Sequence, residues 1–457
     1  MAQNAKNLIG LVGVPLVMVL GNSMLIPVLP TMKTEMKLTS LQSSLLITAF
    51  SIAAGIVIPF AGYLSDRFGR KIVIILSLAL YGLGGLVAGL AALWIDQPYM
   101  AIMGGRVLQG IGAAGTAPIA MALVGDLFDG ASESRALGLL ETSNGMGKVL
   151  SPIFGSLLAL ISWYMVFLAF PIICGVVLLM FLFLTKEKKQ EKKPLPVKQY
   201  MHSIAQVFKQ HGKWLVPAFF IGSICLFTLF GVLFYLSDLL EEKHKIDGVI
   251  KGFFLAIPLL VMSIAAYVTG IIIKKKLKLM RLLVIIGMFL LATSYILASF
   301  VQGAYILIGI LVIGSVGTGM ILPCLNSMIV GAVQKTERGM ITSLYSGVRF
   351  IGVAIGPPIF TWLLGISRTV MFLSIAGLSL VFAVVAIFFL KPKQVEQQGQ
   401  GTKDSETKAW RQLSEVLGIE PETVHEEQRE RAIERYGFDP NELVKRVLSG
   451  KKEKEKQ

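Results

Sequence analysis

Charge is scarce in this chain of 457 residues: Asp, Glu, Lys and Arg make up 16% of it, against about 25% in an ordinary soluble protein. Histidine occurs four times and cysteine three times. Cys174, Cys225 and Cys324 lie in apolar runs without CxxC spacing or a neighbouring His, which excludes a disulfide framework and a metal site. They read as small hydrophobes in helix packing. With 54% hydrophobic residues the chain cannot cover its own surface with polar groups. A soluble enzyme, a disordered scaffold and a secreted disulfide module are excluded together.

What is abundant is long uncharged sequence. Runs such as 72–95 and 371–390 reach the roughly 20 residues that cross a bilayer core. Twelve spans are expected, at 8–30, 43–63, 72–95, 99–123, 136–160, 164–184, 214–237, 249–273, 280–301, 304–330, 341–364 and 369–390. The net charge of +15 is a topology signal and not a nucleic-acid footprint: residues from Lys391 onward carry 14 basic and 14 acidic groups, so the excess lies among the spans. With the N-terminus on the cytoplasmic side, the connections there collect 20 Lys and Arg, including Lys274, Lys275, Lys276, Lys278 and Arg281; the other side collects six. By the positive-inside rule both termini are expected in the cytoplasm of a cell carrying the chain in its plasma membrane. No A-x-A-like site follows the first apolar run, so no cleaved leader is expected.

The halves are related. At an offset of 205 residues, Gly112 falls on Gly317, Pro118 on Pro323, Gly147 on Gly352, Ser151 on Gly356 and Pro152 on Pro357. The pattern predicts an all-α integral membrane fold of twelve transmembrane helices in two six-helix pseudo-repeats. Residues 1–184 form the N-terminal bundle, 185–213 a Lys-rich cytoplasmic linker with Pro194 and Pro196, and 214–390 the C-terminal bundle. Residues 391–457 read as a cytoplasmic tail, with polar helices expected at 421–436 and 440–449. Repeat halves enclosing a midplane site are a transporter architecture.

Two phosphate-binding patterns are decoys. Gly110-Ile111-Gly112-Ala113-Ala114-Gly115 spells GxGxxG, but inside an apolar span with no preceding soluble strand, so close helix packing is the reading. Gly147-Lys148 is followed by Val149, and Thr142 stands where a phosphate loop needs its first glycine. No nucleotide cofactor follows; drive by an ion gradient does.

Span 5 carries an unusual polar stripe. At 100° per residue Glu141, Asn144, Lys148, Ser151 and Gly155 fall within about an 80° arc. Glu141 is the single carboxylate well inside the spans as drawn. Charges at membrane depth face a bundle interior or wet cavity. Glu141 is therefore a candidate for exchanging a transported proton, with Lys148 and Arg349 of span 11 lining a central cavity; a fixed Glu–Lys or Glu–Arg pair is the alternative. Asn22 in span 1 and Asn326 in span 10 are lesser cavity candidates, and bonding to a neighbouring helix is the favoured reading for each. Phe227, Phe230 and Phe234 share a face of span 7 that suits an apolar ligand or lipid.

The connection between spans 2 and 3 reads Gly62-Tyr63-Leu64-Ser65-Asp66-Arg67-Phe68-Gly69-Arg70-Lys71. It resembles the G-x-L-x-D-R-x-G-R-K loop of the major facilitator superfamily. That resemblance makes Gly62, Asp66, Arg67, Gly69, Arg70 and Lys71 a conformational latch, with Asp66 pairing a basic group or a helix N-terminus. The corresponding stretch of the second half, 270–276, lacks the Asp. Arg106-Val107-Leu108-Gln109-Gly110-Ile111-Gly112 resembles the R-x-x-Q-G-x-G motif of the superfamily's proton-linked drug exporters, in which the Arg is implicated in proton coupling. Gly138, Gly147, Ser151-Pro152 and Gly155-Ser156 resemble the G-x8-G-x3-G-P-x2-G-G antiporter motif with Ser at two Gly positions, and Gly352 and Gly356-Pro357 repeat part of it in span 11.

Taken together, these resemblances imply the drug:proton antiporter subfamily: a proton-coupled multidrug efflux transporter of small amphipathic compounds working by alternating access, a functional monomer in the lipid bilayer whose partners are its small-molecule substrate and protons. The interior cations, which outnumber Glu141, support an alternative: a dedicated exporter of an anionic, zwitterionic or lipid-linked endogenous compound.

Overall fold

Backbone in lipid must satisfy its hydrogen bonds internally, so apolar runs of this length become helices. The computed structural model describes residues 2–128, 130–187, 197–273, 276–333 and 338–391. The N-terminal half contains α1 (Ala2–Ser23), α2 (Leu29–Glu35), α3 (Ser40–Phe68), α4 (Arg70–Trp94), α5 (Tyr99–Ala114), α6 (Ala117–Leu127), α7 (Gly130–Ala159) and α8 (Met165–Leu184). The C-terminal half contains α9 (Val197–Asp238), α10 (Gly248–Ile273), α11 (Leu277–Phe300), α12 (Ala304–Gly331), α13 (Arg338–Ile366) and α14 (Arg368–Phe389). Exposed side chains such as Phe60, Ile172, Phe183, Trp362 and Val381 form the apolar exterior.

Among the described residues, eleven helical stretches are long and apolar enough to cross a membrane. The remaining expected span is α7, thirty residues long, whose hydropathy is lowered by the polar stripe of Glu141, Asn144 and Lys148. Span 4 is not one helix: it breaks at Gly115-Thr116, where Thr116 leaves helical geometry (φ −101°, ψ −98°) and its hydroxyl donates to the Ala113 carbonyl at 2.6 Å. Pro118 follows in the first turn of α6.

The linker expected at 185–213 is shorter. From Val197 the chain is already helical, and α9 runs 42 residues. The Lys-rich composition concealed an amphipathic face: Tyr200, Ile204 and Phe208, four residues apart, pack against the core, and Phe208 meets Phe219 with ring centres 5.9 Å apart. The helical path also continues past Asp238 as a π turn, Leu239–Lys243. The tail from 392 onward, including the helices expected at 421–436 and 440–449, lies outside the described residues, as do Pro194, Pro196, Lys274 and Lys275.

The repeat is visible in the packing. A Cβ on Gly112 would meet Ser77 and Tyr81 of α4, and one on Gly317 would meet Gly287 and Leu290 of α11. Gly147 faces Leu16 and Val19 of α1, and Gly352 faces Ser223 of α9. The 205-residue offset carries each contact to its counterpart within about a turn and a half. The GxGxxG stretch does what its place implies: Gly110 lies against the Phe50 carbonyl and Gly115 against Ser77.

Two seams join the halves: α3 against α13 and α7 against α10. In the first, Gly55 and Gly347 face each other so closely that a Cβ on Gly347 would stand 2.7 Å from the Gly55 carbonyl oxygen. Small residues permit such backbone approach between membrane helices. Thr48 adds a bond from its hydroxyl to the Ala354 carbonyl, 2.6 Å. In the second, Gly252 of α10 fits against Pro152 and Ser156 of α7.

Candidate functional site in the bundle interior

The orientation of α7 follows from its neighbours. Ser143 donates to the Val12 carbonyl at 2.6 Å, and Gly147 faces Leu16, so that side lies on α1. Pro152 and Ser156 lie on α10, and Leu139, Met146 and Leu157 are exposed on the exterior. At 100° per residue Glu141 and Lys148 fall between the α1 and α10 sides, facing the interior. Glu141 is exposed and Lys148 half-buried, and neither makes a hydrogen bond or ion pair among the described residues. The fixed Glu–Lys or Glu–Arg pair is thus not formed here. Ser151 is buried and returns its hydroxyl to the Gly147 carbonyl of its own helix, while Gly155 packs on Met24, just past the end of α1. Gly138 has open space beside it.

Arg349 sits opposite on α13. That helix turns Gly347 to α3, and Gly352 and Gly356 to α9, while Ile351 and Ile355 are exposed. Arg349 points inward, with its guanidinium 4.6 Å above the Tyr345 ring and a long 3.4 Å bond to Ser346. Lys148 lies within electrostatic reach of Glu141, whose attraction is the larger, and of Arg349. Pro357 accepts from Thr361 at 2.9 Å through its carbonyl, within the α13 helix. Asn326 is half-buried on α12 and bonds to neither neighbour among the described residues.

Arg106 and Asn22 occupy a different place. Arg106 is fully buried within the N-terminal half. Its Nε donates to the Leu46 carbonyl at 3.0 Å, one terminal nitrogen to the Gly21 carbonyl and the Gln109 amide oxygen at 2.8 Å each, and the other to Asn22. The face of Phe50 lies 4.6 Å away. Asn22 in turn donates to Ser51 at 2.7 Å. Of the two readings for Asn22, substrate cavity or helix bonding, the structure shows the favoured second: its amide ties α1 to α3 and α5 and is not left to a cavity. Of the Phe227, Phe230 and Phe234 face, Phe227 and Phe234 are buried and Phe230 is half-buried, and Phe227 meets Phe360 at 5.7 Å.

At the latch, the polar bonds of Asp66, Arg70 and Lys71 among the described residues run to one another, to α6, to the end of α8 and to the residues just after it. Asp66 pairs with Arg70 at 3.2 Å, and Arg70 also engages Asp126 at the end of α6. Gly69 takes φ +99°, a conformation suited to glycine. Glu187, which the sequence reading passed over, caps α4: its carboxylate accepts from the Arg70 and Lys71 amides at 2.8 and 3.1 Å. Lys71 donates to the Leu182 and Thr185 carbonyls at the end of α8. These are the pairings the helix dipole favours, an anion at an N-terminus and a cation at a C-terminus. Arg67 is exposed, and Gly62 approaches Ser343 of α13. The ring of Tyr63 meets Tyr200 of α9 at 5.1 Å.

The far end is held differently. Lys33 pairs with Glu242 at 2.7 Å, Thr31 donates to Glu241 at 3.3 Å, and Ser237 donates to the Ile26 carbonyl at 2.9 Å, all between the halves. Lys251 pairs with Glu241. Nearby, Asp238 lines a cleft of about 330 Å³ with Phe234, Tyr235, Phe360 and Thr361, and makes no hydrogen bond or ion pair among the described residues. Glu141 is therefore not the single carboxylate within a span; the span drawn to residue 237 stopped one residue short of Asp238. Among the described residues no three His, Cys, Asp or Glu converge as metal ligands do.

Among the described residues, Lys148, Arg349 and Glu141 face the interior without an ion pair, and the halves are tied together at the Lys33–Glu242 end. A family model described as Major Facilitator Superfamily matches residues 11–292 and 280–421. The bacillibactin exporter of Bacillus subtilis (strain 168) is 46% identical over 395 residues, covering 86% of this chain and 98% of that protein. A class C tetracycline resistance protein of Escherichia coli is 27% identical, over 75% of this chain and 85% of its own. Among solved structures, a bacterial homologue of the human lysosomal transporter Spinster, in an inward-facing and unoccupied conformation, superposes with a TM-score of 0.70 at 16% identity, over 86% of this chain and 99% of that one.

Proposed function

Since the chain belongs to the Major Facilitator Superfamily and is a transporter, not an enzyme, we propose that it is a dedicated exporter of an endogenous compound that is bacillibactin or closely similar to it. This replaces the broad multidrug reading favoured by the motifs. The observation that carries it is the 46% identity to a bacillibactin exporter across 98% of that protein, against 27% to the tetracycline resistance protein. The charge of the interior supports an anionic or zwitterionic cargo: Lys148 and Arg349 face it, with Glu141 the one unpaired acid on the same α7 face.

In this reading the Asp66 end lies in the cytoplasm of the cell membrane, both termini with it, and the end tied by Lys33 and Glu242 faces outward. Substrate enters the interior from the cytoplasmic side while the outer tie is closed. The halves then rock about the α3–α13 and α7–α10 seams, release it outside, and return. A proton gradient supplies the drive, with Glu141 carrying the exchanged proton. An unpaired carboxylate in a polar, accessible position can gain and lose a proton without dismantling an ion pair.

Everted membrane vesicles bearing the chain test this. Saturable, gradient-dependent accumulation of bacillibactin with little ethidium or tetracycline accumulation is expected. Accumulation of the two drugs without bacillibactin would return the protein to the multidrug class.

A further inference from the structure

Asp238 stands in the last turn of α9, at the Lys33 end, and the transport cycle makes no use of it. The two carboxylates that follow it are matched: Glu242 by Lys33 at 2.7 Å, and Glu241 by Lys251 and the Thr31 hydroxyl. Asp238, one turn before them, is half-buried and makes no hydrogen bond or ion pair among the described residues. A charge drawn out of water is costly unless something compensates it, and what adjoins this one is open space. The cleft beside Asp238 holds about 330 Å³ and is walled by Phe234 and Tyr235 of α9, Phe360 and Thr361 of α13 and Ser40 of α3. Arg368 donates to the Tyr235 hydroxyl at 2.8 Å, so the part of Tyr235 left for a ligand is its ring. Thr361 commits its proton to the Pro357 carbonyl at 2.9 Å and keeps its oxygen as an acceptor.

The groups on offer are a carboxylate, hydroxyl oxygens and aromatic rings, and together they specify a cation. Rings beside a carboxylate suit a weakly hydrated organic ammonium, which the ring quadrupoles attract. An inorganic ion would first have to shed tightly held water. The volume lies at the small end of ligand pockets. We propose that this cleft binds a small organic ammonium ion, with its cationic head between Asp238 and the rings of Phe234, Tyr235 and Phe360 and a donor of the ligand directed to Ser40 or Thr361. The site is separate from the interior that carries the exported compound. Ser40 belongs to the N-terminal half and the other lining groups to the C-terminal half, so the cleft has this shape only while the halves are tied at this end. A ligand that fits one arrangement better than the other shifts the equilibrium toward it, and the bound cation therefore holds the Lys33 end closed.

The experiment uses the full chain in lipid nanodiscs, where both faces meet solvent. Choline is the probe, titrated by calorimetry, and dimethylbutanol, its uncharged carbon isostere, is the comparison. Saturable binding of one choline per chain is expected, with the isostere roughly tenfold weaker or more. Asp238→Asn weakens choline binding by roughly tenfold to a hundredfold, the range for losing a charged partner. Glu141→Gln leaves choline binding as it was, because the interior acid takes no part. For the second readout the three buried native cysteines are replaced by alanine and a cysteine is placed at Thr34. Saturating choline slows modification of that cysteine several-fold, and does not do so when Asp238→Asn is added. No choline binding, equal affinity for the isostere, or displacement of choline by an equal concentration of potassium overturns the site. Binding lost in Glu141→Gln and kept in Asp238→Asn places the cation in the interior and overturns it as well. Choline binding that leaves the Thr34 modification rate unchanged overturns the link to closure.

Discussion

Lys33 of the N-terminal half and Glu242 of the C-terminal half meet at 2.7 Å at the end of the bundle farthest from the Asp66 loop. Their side chains remain 22% and 53% exposed, so the pair is screened and contributes about 0.2–1 kcal/mol. That is enough to bias an equilibrium between two states of similar energy. Lys33→Gln should shift the population toward opening at that end by about two- to fivefold. Rates of cysteine modification at Thr34, with and without the substitution, measure the shift. The exchange Lys33→Glu with Glu242→Lys should restore it.

Arg106 is a structural centre of the N-terminal half. Replacing it by Ala leaves the Gly21 and Leu46 carbonyls and the Asn22 and Gln109 side chains without their donor. Each buried group so orphaned costs about 1–3 kcal/mol. The variant should lose several degrees or more of melting temperature in detergent. Arg106→Lys should do only slightly better, because an ammonium cannot reproduce the forked geometry. Wild-type thermal stability together with lost transport would instead assign Arg106 to coupling.

Gly347 of α13 faces Gly55 of α3 with no room for a side chain. Gly347→Val should separate the two helices and weaken the association of the halves along this seam. Transport should fall by more than tenfold while each half remains helical. Circular dichroism and vesicle flux together check both parts, and Gly365→Val, at an open position on the same helix, is the control.

Among the described residues Glu141 makes no ion pair, so Glu141→Gln should leave the melting temperature within about a degree of wild type. In liposomes with a trapped pH dye, substrate-dependent proton movement should disappear. Asp238→Asn is the matched comparison, since Asp238 is likewise unpaired but lies at the far end. Proton movement lost in Asp238→Asn and kept in Glu141→Gln would move the proton site to α9.

Much of the molecule was readable from sequence because it depends on local properties. Helix positions follow from apolar length, and the expected spans agree with the helices to within a few residues in most cases. The exceptions have physical causes. At Gly115-Thr116 no charge marks the break, and hydropathy averages over it. At 197–213 lysines hid an amphipathic period that only packing against Phe219 makes evident. The pseudo-repeat was legible because glycines at close contacts must recur wherever the same contact recurs.

The site was legible in part. The inward direction of Glu141 and Lys148 follows from the period of one helix. Whether Arg106 and Asn22 face cargo or each other could not be read in this way, since their partners Gly21, Leu46 and Ser51 come from other helices. Glu187 escaped notice because its role as a cap depends on α8 ending beside α4. The sequence by itself determined the fold class, the spans, the repeat and the polar face of α7, all of which are set by spacing along one chain. Only the tertiary structure decided that Arg106 is saturated while Lys148 and Arg349 are not, because the pairing of a buried charge depends on which distant segments the bundle brings within hydrogen-bond reach.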